Sequence, residues 1–289
     1  MTSNKNDTAV LTVIYSGCEK FLTDFFHSIS LQNFQHYDLV IVNDNCPDWQ
    51  RWNKNFPNER IKLIDGINSI AGNREIGINF ALKQYKKLIF ADADDLFSIN
   101  RFQSCVELLE EHPIIVNEVF LMNDAGSVFI ENYFSSRIKC GTKLYSDFFY
   151  EKNIAGMSNS AICTNCIKSH INIPEDLIAV DWFLFSQLLL DGNYIFFTCD
   201  SHTFYRQHDK NTIGFKNITQ ERLKQIIITK KNNYKYLSRN HGKFSPYLNY
   251  FSEMENKIKD NNFLKEMIKK IKEVNLLNPF WWEEVKYQN

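Results

Sequence analysis

A short acidic segment carries the strongest chemical signal in this 289-residue chain. Asp92, Asp94 and Asp95 follow the apolar run Leu88-Ile89-Phe90 and are interrupted only by Ala93. Three carboxylates so close together repel one another, so a strand that ends on them is expected to lose stability unless a cation is bound. In an extended segment, Asp92 and Asp94 lie on one side, where their oxygens suit a hard divalent cation. Helix capping explains one acidic residue but not three, so the segment predicts a metal site.

Asp181 is a second candidate for chemistry. It lies in a largely apolar stretch, residues 177–190, beside Val180 and Trp182. Burying an ionised carboxylate without a partner costs on the order of several kcal/mol, which favours a catalytic position. A carboxylate placed there can act as a general base and take a proton from an attacking hydroxyl. The alternative is an Asp on the solvent-exposed face of a helix.

Alternating strands and helices position these residues. Continuous apolar runs predict strands at residues 9–15, 37–42, 61–64 and 87–91. Apolar stripes at helical spacing predict helices between them and after them: Leu22, Phe25, Phe26 and Ile29; residues 73–84; and Phe102, Cys105, Val106 and Leu109. This pattern predicts βαβ units and a mostly parallel sheet, whose ligands bind beyond the carboxyl ends of the strands. Asp44 and the acidic segment both follow such strand ends.

The pattern changes from about Pro113. Residues 114–122 and 128–133 are strand-like around a turn, residues 175–190 predict a helix, and residues 194–198 and 203–205 predict short strands. After Gly214 the chain is expected to be helical and rich in Lys. From its position in the chain alone, the segment 156–160 is expected near the attacking hydroxyl.

Composition excludes several classes of protein. A net charge of −1 argues against binding nucleic acid over the whole molecule. The seven cysteines are odd in number and scattered, so no disulfide framework is expected, and Cys163 and Cys166 form one CxxC without the second pair of a zinc site. No apolar stretch is long enough to span a bilayer, and residues 1–7 lack the core of a signal peptide. We therefore expect a cytoplasmic protein.

Six motifs, in order along residues 9–214, resemble those of the family 2 glycosyltransferases of the GT-A fold. They are Val13-Ile14-Tyr15-Ser16 with Ser28 and Gln32, Val42-Asn43-Asp44-Asn45, Arg74-Glu75-Ile76-Gly77, Asp92-Ala93-Asp94-Asp95, Val180-Asp181-Trp182 and Tyr205-Arg206-Gln207-His208. The chain departs from the family pattern at Asn43, Cys46 and Glu75, which weakens the assignment of the nucleotide as UDP.

The resemblance implies an α/β fold: a Rossmann-like, mostly parallel central sheet flanked by helices, with a helical C-terminal extension. The implied catalytic domain covers residues 1–215, with a nucleotide-sugar half at 1–112 and an acceptor half at 113–215, and the basic extension covers 216–289. The implied reaction is metal-dependent, inverting transfer of a sugar, expected from a UDP-sugar, to a hydroxyl of a glycan or lipid-linked acceptor. A role in surface polysaccharide synthesis is the expected setting.

The resemblance also assigns roles to residues. Asp94, with Asp92, holds Mn²⁺ or Mg²⁺, although Asp92 alternatively contacts the ribose, and Ala93 lies between them in the nucleotide-sugar segment. Arg74 faces the diphosphate, and its alternative is a solvated helix residue. Three further positions are implied to bind the nucleotide sugar. Asp44 accepts a hydrogen bond from the uracil N–H, and Tyr15 or Ser16 stacks on the base. His208 binds the metal or the departing diphosphate. Asp181 is the base, which implies a single displacement with inversion.

Two other functions stay open at this point. A nucleotidyltransferase of the sugar-nucleotide pyrophosphorylase type needs a glycine-rich phosphate loop, of which Ser16-Gly17-Cys18-Glu19-Lys20 is a poor version. A non-catalytic carbohydrate-binding relative is disfavoured because Asp94 and Asp181 are both retained.

The C-terminal part differs in charge from the rest of the chain. Residues 216–289 hold 15 Lys and Arg against 8 Asp and Glu, which leaves 18 against 26 for residues 1–215. Four lysines surround an apolar stripe, namely Lys265, Lys269, Lys270 and Lys272. This extension either docks peripherally on an anionic inner membrane surface or packs on the catalytic body with its lysines in solvent.

Overall fold

The computed structural model describes residues 6–53, 56–168, 170–208, 218–274 and 276–288. The strands are β1 (Thr8–Tyr15), β2 (Asp38–Asp44), β3 (Ile61–Asp65), β4 (Lys87–Phe90), β5 (Leu96–Phe97), β6 (Ile114–Asn123), β7 (Val128–Ile130), β8 (Lys143–Leu144), β9 (Ser160–Cys163) and β10 (Ile195–Gln207). The helices are α1 (Glu19–Ser30), α2 (Ile70–Leu82), α3 (Arg101–Leu108), α4 (Val180–Leu190), α5 (Gln220–Asn240), α6 (Ser245–Lys257) and α7 (Asn261–Val274). The strands form one central sheet in the order β3-β2-β1-β4-β9-β6-β10-β5. In addition, β7 pairs with β6 and β8 pairs with β10.

The first half of the sheet is parallel, as the sequence predicts. β1 pairs in parallel with both β2 and β4, and β2 pairs in parallel with β3. Alternate residues of these strands enter two apolar layers: Leu11 and Val40 pack on the side of α2, whereas Val10 and Leu39 pack on the side of α1 and α3. Burial on both faces explains why these strands read as unbroken apolar runs.

Close packing of α2 on the sheet requires a glycine. A Cβ on Gly77 would lie 2.7 Å from Leu11 Cδ1 and 2.9 Å from Val42 Cγ2. The helix begins at Ile70, earlier than predicted, because the Ser69 side chain caps it by accepting a hydrogen bond from the Gly72 N–H at 3.1 Å. This packing fixes the first turns of α2, which carry Arg74, against the carboxyl end of the sheet.

The second half of the sheet is mixed. β9 runs antiparallel between β4 and β6, and β10 runs parallel to β6 and antiparallel to β5. The two short strands predicted at 194–198 and 203–205 are one strand, β10, whose pairing with β6 shifts between Thr198 and His202. This irregularity hides the continuity of the strand in the sequence, since it breaks the period of two.

The helix predicted at 175–190 begins only at Val180. Glu175 and Asp176 belong to a turn in which the Leu177 N–H donates to the Pro174 carbonyl at 3.1 Å, and Asp176 accepts the hydroxyl of Tyr236 at 2.5 Å. Asp181 therefore lies in the first turn of this apolar helix and not in the interior of a longer one.

The C-terminal helices pack on the same core as the sheet. Apolar residues of α5 and α6, including Ile226, Tyr234 and Phe251, belong to the cluster that also contains Leu11 and Trp182. The predicted boundary at residue 215 and the predicted helical onset after Gly214 lie outside the described residues. Within the described part of the chain, no helix is long and apolar enough to cross a membrane.

The structure contains one disulfide, although the sequence predicts no disulfide framework. Cys140 and Cys199 are bonded across 59 residues of sequence, which links the loop before β8 to β10. The scattered spacing gave no sign of this pair because only the fold brings the two residues together. Cys163 and Cys166 are free thiols, and burial raises the pKa of Cys166 to about 12.

Candidate active site

The acidic segment after β4 forms a turn in which each carboxylate has its own partner. The Asp95 N–H donates to the Asp92 carbonyl at 3.2 Å, so the expectation of an extended segment is wrong. Asp92 forms an ion pair with Arg74, and Asp94 Oδ2 lies 3.0 Å from Nε2 of His208. Mutual repulsion among the three carboxylates is thus reduced by partners from α2 and β10.

Asp95 serves the fold. Its carboxylate is buried and accepts the backbone N–H of Arg206 at 2.7 Å, which joins the acidic turn to β10. The Arg206 side chain returns the contact by donating from Nε to the Asp94 carbonyl at 2.8 Å. Burial raises the pKa of Asp95 well above its ordinary value, with the neighbouring Asp94 and Asp92 acting in the same direction. The acidic turn is therefore fixed rigidly to the strand that ends at His208.

Arg74 and Asp92 connect the acidic turn to α2. The Arg74 guanidinium donates to Asp92 from Nη2, whereas its buried Nη1 has no hydrogen-bond partner among the described residues. Burial raises the pKa of Asp92, and the positive charge of Arg74 acts in the opposite direction. A buried guanidinium nitrogen that lacks a partner is costly, so this position is suited to an anionic ligand.

His208 and Asp94 form the pair best suited to a metal ion. His208 is buried at the end of β10 and packs against Phe21 of α1, with ring centroids 4.9 Å apart. Among the described residues, no group of three or more His, Cys, Asp or Glu side chains is arranged to hold a metal ion. Asp94 and His208 therefore offer one oxygen and one nitrogen ligand, and the remaining ligands have to come from a substrate or from water.

The predicted base-binding residues lie at the carboxyl ends of β1 and β2. Tyr15 and Asp44 are directly paired in the parallel ladder. Asp44 Oδ1 accepts the Asn68 N–H at 2.9 Å. Burial raises the pKa of Tyr15, with the charge of nearby Asp94 acting in the same direction, whereas Ser16 is exposed. Buried Ala93 lies in the acidic turn. The structure thus brings the predicted donor residues to one edge of the sheet.

Asp181 lies across a cavity from Asp92. The cavity is small, with a volume of about 50 Å³, and its described lining consists of Asp92, Val119, Gly156, Met157, Ser158, Asn159, Asp181, Tyr205 and Trp281. Asp181 Oδ1 accepts the Trp182 N–H at 2.7 Å, which orients its carboxylate. Burial raises the pKa of Asp181 to about 7, and the charge of Asp92 contributes to the increase.

Trp281 and Tyr205 are the lining residues to which the sequence assigned no role. Trp281 lies 100 positions after Asp181, beyond the motifs, and reaches the cavity only because residues 279–283 pack against the sheet. Tyr205 was visible in a motif, but the motif gave no sign of where its ring lies. The segment 156–160 was expected near the acceptor, and its first four residues do line the cavity.

A family model described as glycosyl transferase family 2 matches residues 9–167. This match covers more than half of the chain and includes β1, the acidic turn and β9. The chain belongs to glycosyl transferase family 2. A sequence comparison with curated proteins found no match.

Solved structures similar to this family 2 glycosyltransferase have the GT-A fold. S. aureus TarS 1–349 in complex with UDP-GlcNAc is 16% identical, with 85% of this chain and 71% of that chain covered and a TM-score of 0.58. Mannosyltransferase PcManGT from Pyrobaculum calidifontis in complex with GDP-Man and Mn²⁺ is 12% identical, with 81% and 64% covered and a TM-score of 0.58. GalNAc-T7 with UDP, GalNAc and Mn²⁺ is 15% identical, with 96% and 59% covered and a TM-score of 0.54. These similarities confirm the predicted fold.

Proposed function

We propose that this family 2 glycosyltransferase moves a sugar from a nucleoside diphosphate sugar, most simply a UDP-sugar, to a hydroxyl of a glycan or lipid-linked acceptor with inversion. The observation that carries the proposal is the meeting of three features at one sheet edge. These are the Arg74–Asp92 pair, the Asp94–His208 pair and a cavity that opens onto Asp181. A nucleotide-sugar transferase needs such groups for the diphosphate, for its counter-ion and for the acceptor proton.

The residues at Asp94 fit a divalent metal. A carboxylate oxygen and an imidazole nitrogen 3.0 Å apart can both turn toward one ion, and Mn²⁺ or Mg²⁺ accepts such ligands together with phosphate oxygens and water. When bound, the ion would act as a Lewis acid that neutralises charge on the departing diphosphate. The structures of PcManGT and GalNAc-T7 contain Mn²⁺, which supports this choice of cofactor.

Arg74 is suited to the diphosphate itself. Its Nη1 is buried and lacks a partner among the described residues, and a guanidinium can donate two parallel hydrogen bonds to phosphate oxygens. Asp92 holds the guanidinium from the other side, which orders the side chain before the donor arrives. In this role, Asp92 positions Arg74. Its carboxylate also contacts either the ribose of the donor or the metal ion.

Asp181 is suited to the acceptor proton. A general base is most effective when its pKa is near the pH at which the enzyme works, and burial brings the pKa of Asp181 to about 7. A carboxylate that takes the proton of the attacking hydroxyl directly corresponds to a single displacement and inversion at the anomeric carbon. The hydroxyl proton passes to Asp181 while the nucleoside diphosphate departs.

The remaining expectations complete the proposal. Tyr15 or Ser16 stacks on the base, and the second oxygen of Asp44 accepts the uracil N–H, because the first already holds the Asn68 N–H. We place the enzyme in the cytoplasm in surface polysaccharide synthesis, with peripheral membrane contact through exposed lysines of α7, such as Lys269. The packing of α5 and α6 on the common core supports the alternative that the extension stabilises the catalytic body.

A thermal-shift screen with UDP, GDP, ADP and CDP, each with and without Mn²⁺, tests the proposal. A nucleotide at about 100 times its dissociation constant stabilises the protein by about 2.7 kcal/mol. We expect one nucleotide to give a shift that requires Mn²⁺, and we expect Asp94→Ala to remove the Mn²⁺-dependent part. The matched control is Asp124→Ala, because Asp124 is an exposed carboxylate paired with Lys20 in the turn after β6. An unchanged Mn²⁺ effect in Asp94→Ala would remove the metal assignment.

A product assay separates the alternatives. Incubation with the matching nucleotide sugar and an acceptor should release nucleoside diphosphate. Formation of nucleoside triphosphate and sugar 1-phosphate after addition of pyrophosphate would indicate a nucleotidyltransferase, and binding without any of these products would indicate a non-catalytic relative.

A further inference from the structure

A groove runs along one face of α3, and its described lining shares no residue with the candidate active site. The groove has a volume of about 400 Å³, within the range of roughly 300–1,000 Å³ that ligand pockets occupy. The lining residues are Asn100, Gln103, Ser104, Glu107, Leu108 and Asp200. The proposed transfer uses none of them, so the groove is a separate feature of the molecule.

Five of the six lining residues form a stripe on the helix. Residues 100, 103, 104, 107 and 108 follow the spacing i, i+3, i+4, i+7 and i+8, which places them on one face. The buried apolar residues Phe102 and Cys105 lie between them in sequence and enter the core instead. In the sequence, the polar stripe is typical of a solvated helix face. Asp200 of β10 supplies the opposite wall and makes the face into a groove.

Hydrogen bonds hold this opposite wall in place. Asn100 Nδ2 donates to the Asp200 carbonyl at 2.7 Å, which closes one end of the groove. Two residues further on, the His202 N–H donates to Ser98 Oγ and the His202 carbonyl accepts the Ser98 N–H, each at 3.0 Å. Cys199, directly before Asp200, is held by the disulfide. The walls are therefore formed without a ligand, which lowers the entropic cost of binding one.

Ser104 is the residue of the groove that indicates a ligand. It is only 8% exposed, and its Oγ has no hydrogen-bond partner among the described residues. A serine within a helix can satisfy its hydroxyl by donating to the carbonyl four residues earlier, as Ser252 of α6 does to the Leu248 carbonyl at 2.7 Å. The corresponding Asn100 carbonyl accepts the Ser104 backbone N–H at 2.9 Å, but Oγ makes no such bond. A buried hydroxyl without a partner is unfavourable, and a polar ligand would supply the missing bond.

The lining specifies the chemistry of its ligand. Among the described residues of the groove, none carries a positive charge, and Glu107 and Asp200 carry carboxylates. A phosphorylated or otherwise anionic ligand would therefore be repelled. The carboxylates belong to exposed residues, whereas the buried part of the groove offers the uncharged hydroxyl of Ser104.

The buried part of the groove therefore favours an uncharged ligand over a cation. Hydroxyl, amide and carboxylate groups side by side both donate and accept hydrogen bonds, which complements the hydroxyls of a sugar. Leu108 adds an apolar contact of the kind that suits the C–H groups of a sugar ring.

We propose that the α3 groove binds a neutral oligosaccharide, as a saccharide site separate from the site of transfer. The inference goes beyond the proposed function, because binding in the groove requires neither the donor, the metal nor Asp181. Where it rests on the proposed function is in its use: in a glycosyltransferase, such a groove would hold part of a long glycan away from the end that reacts.

Binding of neutral trisaccharides to the full chain, without nucleotide or metal, tests the proposal. The probes are maltotriose, cellotriose and triacetylchitotriose, and the charged counterparts are trigalacturonate and spermine. Saturation-transfer NMR detects weak binding, and calorimetric titration measures the dissociation constant. We expect at least one neutral trisaccharide to bind at millimolar concentration or below and neither charged probe to displace it.

Two variants of the helix face place the saccharide in the groove. Ser104→Ala should weaken binding about 3- to 10-fold, the loss of one hydrogen bond. The same variant should unfold at a higher temperature than the wild type, because it removes an unpartnered buried hydroxyl and alanine favours a helix. A hydroxyl that served only the fold would give the opposite change in stability. Gln103→Trp, at a partly exposed position, should fill the groove and weaken binding at least about 10-fold.

The matched control is Ser252→Ala, which removes a helical hydroxyl that has an internal partner and lies outside the groove lining. It should leave saccharide binding unchanged. The proposal is overturned if none of the three neutral trisaccharides binds, or if binding is unchanged in both Ser104→Ala and Gln103→Trp. Binding of spermine that is stronger than that of the sugars and is lost in Asp200→Asn would also overturn it, since the groove would then be a site for cations.

The groove and the proposed reaction can fail separately. Ser104→Ala and Gln103→Trp should keep the thermal shift with nucleotide and Mn²⁺, because neither residue belongs to the donor side. If the protein binds a trisaccharide through Ser104 but releases no nucleoside diphosphate, the proposed function fails and the groove stands. If transfer occurs and no trisaccharide binding depends on Ser104 or Gln103, the groove fails and the function stands.

Discussion

The donor side of the site is built from paired charges, whereas the acceptor side is built from aromatic rings and backbone. On the donor side, Arg74 pairs with Asp92 and Asp94 pairs with His208 at the ends of neighbouring elements. On the acceptor side, Trp281 and Tyr205 face the cavity, and the carboxylate of Asp181 meets them there. The paired charges of the donor side follow from the ligand proposed for it, because a diphosphate needs fixed charge.

The two sides also differ in how the chain builds them. On the donor side, parallel pairing of β1 with β2 and β4 brings Tyr15, Asp44 and the acidic turn together, and His208 joins them from the end of β10. The described lining on the acceptor side comes from β6, the segment before β9, β10, the first turn of α4 and Trp281, which are distant in sequence. Substitutions on the donor side should therefore change binding of the nucleotide and metal, and substitutions around the cavity should change transfer or acceptor binding.

The largest effect is expected at Asp181, where the two sides meet. We expect Asp181→Asn to lower transfer at least about 100-fold, because the attacking hydroxyl loses its base, while the donor still binds. The measurements are transfer kinetics and the nucleotide-dependent thermal shift. Asp191→Asn, at the exposed C-terminal cap of the same helix, is the matched control. Near-normal turnover in Asp181→Asn would rule this residue out as the base.

The same variant should be more stable than the wild type at high pH. The pKa of Asp181 is about 7 in the folded protein and lies above its ordinary value of 3.8, so the folded state binds the proton more tightly than the unfolded state. Stability from this group is therefore complete at low pH and is lost as pH rises from about 4 to 7. Asparagine avoids the cost of the buried charge, which is on the order of 4 kcal/mol at pH 8.

Thermal unfolding of both proteins at pH 5 and pH 8, without nucleotide or metal, checks this prediction. The variant should unfold at a higher temperature than the wild type at pH 8, and the gap should be smaller at pH 5. A gap that does not depend on pH would show that Asp181 ionises in the folded protein as it does in water.

The pH dependence of transfer should distinguish Asp181→Asn from the wild type and from Asp191→Asn. kcat/KM reports the pKa values of essential groups in the free enzyme. Because the base works as a carboxylate, we expect kcat/KM to rise with pH up to about 7 and to level off above it, in line with the raised pKa of Asp181. The residual activity of Asp181→Asn should lack this rise, whereas Asp191→Asn should keep it. A rise centred near pH 4 would contradict the burial of the base.

The sequence predicted the strands of the first half of the sheet well because their signals are local. Unbroken apolar runs such as residues 9–15 mark strands that are buried on both faces, and the acidic segment follows one of them directly. The exact conformation of that segment was not predictable, since its turn depends on partners from elsewhere: Arg74, His208 and the backbone of Arg206. The carboxylates repel one another less than expected because each contacts a different partner.

The acceptor side was mostly invisible in the sequence. β9 is only four residues long and gave no periodic signal, and the helix start at Val180 depends on contacts of Asp176 with Tyr236. In the sequence, Trp281 is one aromatic residue among several. Its position at the cavity depends on its antiparallel bridge with Asn153, which only the fold creates. Long-range pairing, as in the Cys140–Cys199 disulfide, has no counterpart in local spacing.

The smallest effect is expected at Asp44, at the far end of the donor side. Asparagine at this position keeps an oxygen for the Asn68 N–H but replaces the second oxygen with an amide that cannot accept the uracil N–H. We expect Asp44→Asn to weaken UDP binding about 3- to 10-fold, the value of one or two kcal/mol at most for a single hydrogen bond to a charged group. Acceptor KM should not change.

Calorimetric titration with UDP and Mn²⁺ measures this effect, and Asp48→Asn is its control, since Asp48 is an exposed carboxylate in the same loop that pairs with Arg51. The contrast with Asp181→Asn is the informative part, because that variant is expected to lower transfer and to leave donor binding intact. A change in acceptor KM as large as the change in UDP affinity would show that the two sides of the site are energetically coupled. In that case, the donor side and the acceptor side would differ in their residues but would not bind their ligands independently.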